Sequence, residues 1–84
     1  MNKKLVERTQ TGVRLEKSLL KVLKGLAEYC DLSLGDLLEG IVLHAFEGKA
    51  PFSSETQAAI ADLKKVYHCD LSAADSHQIR EAKE

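Results

Sequence analysis

The spacing of apolar positions changes character along the chain. Over residues 9–15, Thr-Gln-Thr-Gly-Val-Arg-Leu, the period is two: Thr11, Val13 and Leu15 share one face and Gln10, Gly12 and Arg14 the other. That alternation predicts a short strand. Over residues 16–30 the period lengthens to that of a helix, with Leu19, Val22, Leu23, Leu26, Ala27 and Cys30 in one stripe and Lys17, Lys21, Lys24 and Glu28 off it. A second helix is expected over about 34–47, striped by Leu34, Leu37, Leu38, Ile41, Val42, Ala45 and Phe46, with Ser33 as its N-cap and Asp36 three residues on. Gly48 and Pro51 end it. Ser54 with Gln57 predicts a third helix over about 55–68 with Ile60, Leu63, Val66 and Tyr67 inward, and Ser72 with Asp75 opens a short last one.

The strand is the informative element, because a lone strand needs a partner and no second alternating run exists in the sequence. The expectation is therefore that the partner comes from a second copy of the chain. Two short helices in one layer cannot bury both of their stripes in each other and also cover a strand. Folding is then expected to depend on association. Gly40, inside the second helix, costs about 1 kcal/mol against Ala. It marks either the close approach of another helix or a tolerated site. The fragments Tyr29-Cys30-Asp31-Leu32-Ser33 and Tyr67-His68-Cys69-Asp70-Leu71-Ser72 echo one another with one insertion, and similar capping chemistry explains both.

Charge sharpens the picture. Eighty-four residues make one small domain, and the net charge of −1 hides a dipole. Residues 1–24 carry seven bases (Lys3, Lys4, Arg8, Arg14, Lys17, Lys21, Lys24) against Glu7 and Glu16, a balance of +5, and the remainder carries five bases against eleven acids, −6. A basic arm on an acidic body suggests a surface that faces a polyanion. No apolar run exceeds four residues, so neither a membrane span nor a secretory signal is expected, and the default is a cytoplasmic chain with Cys30 and Cys69 as reduced thiols. Cys30, His44, His68, Cys69 and His77 lack the spacing of a metal site; His44 reads as structural and Cys30 as a small core residue. No metal, cofactor or catalytic group is expected, and the chain does not read as an enzyme.

The order of these features resembles the ribbon–helix–helix family of DNA-binding dimers (Arc/MetJ type) over residues 9–47. The resemblance is carried by Thr11-Gly12-Val13-Arg14-Leu15 leading into a helix, Ala27 near its end, Leu32-Ser33 opening the next helix, and Leu37, Leu38, Ile41 and Val42 within it. It implies a mainly α fold: an intermolecular two-stranded antiparallel ribbon with two helices per chain. Residues 1–48 would form the basic arm and the dimerisation and DNA-binding unit, with 49–84 an acidic helical extension. It further implies base reading in the major groove by Gln10 and Arg14. Phosphate contacts would come from Lys3, Lys4 and Arg8 and from the start of the second helix at Ser33, Leu34 and Gly35. Asp31 stands where the family commonly has Gly, and Asp36 places a carboxylate in the first turn of the second helix.

The expected function is a homodimeric, sequence-specific binder of double-stranded DNA, of the transcriptional-repressor or antitoxin type. A protein partner could dock on residues 49–84, and no membrane partner is expected. The alternative is a helical protein-interaction or dimerisation module with no nucleic-acid role.

Overall fold

The computed structural model describes residues 4–82. They form three helices of equal length, α1 Lys17–Tyr29, α2 Leu34–Phe46 and α3 Ser54–Val66, followed by a 3-10 turn at Ala73–Asp75. The chain is mainly α, and no strand occurs among the described residues. This corrects the expected ribbon–helix–helix fold, which requires a β ribbon. Residues 4–15 make no backbone–backbone hydrogen bond and are exposed throughout. Alternation supplies the side-chain pattern of a strand but not its ladder, and the chain holds no second β-run to complete one.

Helix α1 forms where its stripe predicts, one residue shorter at each end. Its N-cap is a residue the capping rules rank low, Glu16, whose carboxylate accepts from the amides of Leu19 (2.9 Å) and Ser18 (3.1 Å) and from the Ser18 hydroxyl (2.5 Å). The hydroxyl bond, followed by the two amide bonds, holds the Glu16 carboxyl below its ordinary pKa. Ser33 caps α2 as expected, accepting from the Asp36 amide at 3.1 Å. The Asp36 side chain does not close the box; it turns to Arg8 at 3.3 Å. The third cap falls one residue earlier than expected: Ser53, not Ser54, accepts from the Thr56 amide at 3.2 Å. The expected last helix is the single 3-10 turn, where the Ser72 amide donates to Asp75 Oδ2 at 2.8 Å.

All three helices stop in the same way. The residue after each C-cap takes a left-handed φ: Asp31 (56°), Gly48 (69°) and His68 (54°). Each stop carries a paired set of bonds: Leu32 N to Ala27 O with Asp31 N to Glu28 O, Lys49 N to His44 O with Gly48 N to Ala45 O, and Cys69 N to Lys64 O with His68 N to Lys65 O. This is the Schellman arrangement, which satisfies the last helical carbonyls. The echo between the two Tyr-containing fragments is thus shared capping chemistry, with Asp31 and His68 as the equivalent positions.

Helix α1 is the centre of the packing. Val22, Leu26 and Ala27 on it, Leu37 on α2, and Cys69 are the buried hydrophobic residues. Leu23, Cys30, Ile41, Phe52, Ile60 and Leu63 close around Leu26, Ala27 and Leu37. Helix α3 lies close against α1 at Gly25, where a Cβ would meet Leu63 Cδ2 at 3.0 Å and Tyr67 Cε2 at 3.5 Å. Close helix approach therefore belongs to Gly25; a Cβ on Gly40 would meet nothing within 4 Å.

Helix α2 leaves much of its apolar stripe uncovered. It carries most of the expected apolar stripe, yet Leu37 is its single buried residue. Leu34, Leu38 and Ile41 are half-buried, while Val42, Leu43, Ala45 and Phe46 are exposed, Phe46 at 82%. The whole chain presents 7711 Å² to solvent, against about 5,000 Å² for a compact chain of this mass. Its radius of gyration is 14.4 Å, against about 12 Å for a compact domain of this length. The excess comes from the exposed residues before α1 and after α3 and from the uncovered side of α2.

Candidate nucleic-acid interface

The basic surface is built from one continuous stretch of chain. Lys4, Arg8, Arg14, Lys17, Lys21 and Lys24 are all exposed; Lys3 lies outside the described residues. Gln10 and Arg14, the expected base readers, sit on the exposed segment before α1, with Gly12 between them.

The two arginines are held by acids from distant parts of the sequence. Arg8 grips Glu39 with two prongs, Nε to Oε2 at 2.9 Å and Nη2 to Oε1 at 2.8 Å, and Nη2 also reaches Asp36 Oδ1 at 3.3 Å. The fork on Glu39, then the charges of Glu39 and Asp36, raise the Arg8 pKa, and the same hydrogen bonding lowers that of Glu39. Arg14 pairs with Glu81 in the C-terminal segment. Both contacts are solvent-exposed, a setting in which ion pairs contribute little net stability.

At the start of α2, Ser33 Oγ is engaged as the cap, and the amides of Leu34 and Gly35 make no hydrogen bond among the described residues. Leu34 is half-buried and Gly35 exposed, with open space over Gly35 save the Ser33 hydroxyl at 4.0 Å. Free amides at a helix start attract an anion, but the Asp36 carboxylate in the same turn opposes it. The structure brings Arg8 to this end of α2 through Asp36, whereas Arg14 goes elsewhere, to Glu81.

Sequence reasoning singled out the bases and missed their partners. Asp36 and Glu39, three residues apart on one helical face, carried the only signal for the Arg8 contact; Glu81 carried none, lying 67 residues from Arg14.

Of the remaining candidates, His44 Nδ1 bonds the Gly40 carbonyl at 2.7 Å, a structural role. Cys30 is half-buried against the core, and Cys69 is a buried free thiol. Among the described residues no group of three or more His, Cys, Asp or Glu side chains is placed to hold a metal ion. A shallow cleft of about 270 Å³ lies between α2 and the start of α3, lined by Leu37, Gly40, Ile41, Phe52 and their neighbours. No helix among the described residues is long and apolar enough to cross a membrane. Set against known protein families, curated proteins and solved structures, the chain matches none of them.

Proposed function

We propose that this protein is a homodimeric, sequence-specific DNA-binding protein of the transcriptional-repressor or antitoxin kind, acting in the cytoplasm. One observation carries the reading: the net positive charge lies in one N-terminal stretch, and every described base in it is exposed. Gln10 and Arg14 read base edges, Gln toward adenine and Arg toward guanine. Lys4, Arg8 and the start of α2 at Ser33, Leu34 and Gly35 position the chain on phosphates. The carboxylates that hold Arg8 (Glu39 and Asp36) and Arg14 (Glu81) do so at the surface, where ion pairs contribute little and a dense row of phosphates competes for the arginines. The second copy covers the apolar side of α2, through Leu38, Val42 and Phe46.

A helical protein-interaction module is the second reading. The uncovered α2 side favours it, and so does the engagement of Arg8 by two acids, which removes a base from the polyanion surface. In that case residues 49–84 or α2 receive a protein partner.

Fluorescence anisotropy on labelled duplexes separates the two. A binder with about six phosphate contacts loses about 10³ in affinity between 50 and 200 mM salt. Selection from random duplexes then yields a preferred site, and Arg14→Ala abolishes the preference. Absence of binding to any duplex at 50 mM salt overturns the DNA reading and leaves the protein-interaction one.

A further inference from the structure

We infer that the exposed face of α1 is itself a contact surface for a nucleic-acid backbone, through the row Lys17, Lys21 and Lys24. This inference rests on the DNA-binding reading and extends it to residues outside the arm and the start of α2.

At 3.6 residues per turn the three lysines fall within about 60° of one another and roughly opposite the buried Val22 and Leu26. They project to solvent along about 10 Å of helix, a length that spans roughly three phosphates of one strand. All three are exposed, and none takes part in an ion pair among the described residues.

The row is placed against the electrostatics of its own helix. Lys17 opens α1, at the positive end of the helix dipole, where the N-cap carboxylate of Glu16 is engaged by the Ser18 and Leu19 amides and makes no ion pair with the row. Lys17 and Lys21 are four apart and Lys21 and Lys24 three apart, so like charges are neighbours twice over. A face that served solvation alone would interleave acids at these spacings; the first acid on this side is Glu28, a full turn beyond Lys24. Each of these costs is relieved when an anion lies along the row. Arg14, three residues before Lys17, extends the basic surface toward the segment that reads bases.

The test uses the full chain in three forms: unmodified, K17Q/K21Q/K24Q, and the equal-charge control K49Q/K65Q/R80Q. Circular dichroism first establishes that helix content is retained, as expected for side chains directed away from the core. The readout is the slope of log affinity against log salt on a 20-base-pair duplex. Removal of the row is expected to flatten that slope by about 2.7 per chain engaged, the control leaving it unchanged, and Lys21→Gln alone to flatten it by about 0.9. Equal slopes for row and control variants overturn the assignment while DNA binding stands, and a chain that binds no duplex overturns the DNA reading beneath it. Polyglutamate that displaces the duplex as well as unlabelled DNA at equal charge overturns the choice of a phosphate backbone.

Discussion

Replacing Gly40 by Ala tests which sides of α2 are free. Gly40 lies in the interior of a 13-residue helix. Its φ is not left-handed, and an added Cβ would meet nothing within 4 Å. Neither a steric nor a conformational reason for glycine exists within the single chain, so the substitution recovers the helix-propensity deficit of about 0.8–1.0 kcal/mol. For a domain of this length that raises Tm by roughly 4–8 °C. Position 40 lies about 160° around the helix from Leu38 and Val42, away from the flank assigned to the second copy. The dimer dissociation constant is therefore expected to stay unchanged. Thermal melts followed by circular dichroism at several fixed protein concentrations give the first quantity, and sedimentation equilibrium gives the second. A Tm that falls, or a dimer weakened tenfold, refutes the reasoning: it places another helix over Gly40 and moves the interface to the cleft side of α2.

Two further outcomes are expected. Asp31 and His68 hold left-handed φ values of 56° and 54° at helix ends, so Asp31→Gly and His68→Gly each relieve strain and stabilise by about 0.5–1 kcal/mol after the extra freedom glycine gives the unfolded chain; a denaturant midpoint that drops in both variants contradicts the Schellman assignment. The Glu16 and Glu39 carboxyls are held below their ordinary pKa. Their contribution is thus complete above the unfolded carboxylate value and is lost as pH falls through the lowered folded values. Acid titration of helix content is expected to lose less in a Glu16→Gln, Glu39→Gln double variant than in the unmodified chain. Identical acid transitions would remove both groups from the account.

Local chemistry was legible in the sequence and partnership was not. The stripe Leu19, Val22, Leu23, Leu26, Ala27 and Cys30 located α1 to within a residue at each end, because a 3.6-residue period repeated over four turns has few alternative explanations. Ser33 announced α2 for the same reason. The Ser53 cap was missed because Ser53 and Ser54 are adjacent and only backbone geometry selects between them. Glu16 was missed because glutamate is a poor cap in general and works here through three bonds at once. Residues 9–15 carry the period of a strand without becoming one: side-chain alternation is a property of the segment, while a ladder is a property of two segments. Of the two alternatives open for Gly40 the tolerated site holds, and the close approach falls at Gly25, since propensity penalises both equally and only the position of α3 distinguishes them.

Arg8 links the two readings of this surface. Its fork on Glu39 and its reach to Asp36 tether the N-terminal segment to the polar flank of α2. Val42 and Phe46, three and seven residues beyond Glu39 on the same face, stay exposed, so a second copy seated there meets the Arg8 tether. A polyanion that takes Arg8 leaves Asp36 and Glu39 without their counter-charge beside incoming phosphates. The attraction gained at Arg8 is thereby offset by repulsion at the start of α2, where the free amides of Leu34 and Gly35 would otherwise receive an anion. The lysines of α1 face no such opposition, because no carboxylate among the described residues is paired with them. On the proposed DNA-binding reading, favourable electrostatics therefore concentrate on α1 and on Arg14, whose single exposed partner, Glu81, is the easier of the two arginine contacts to displace.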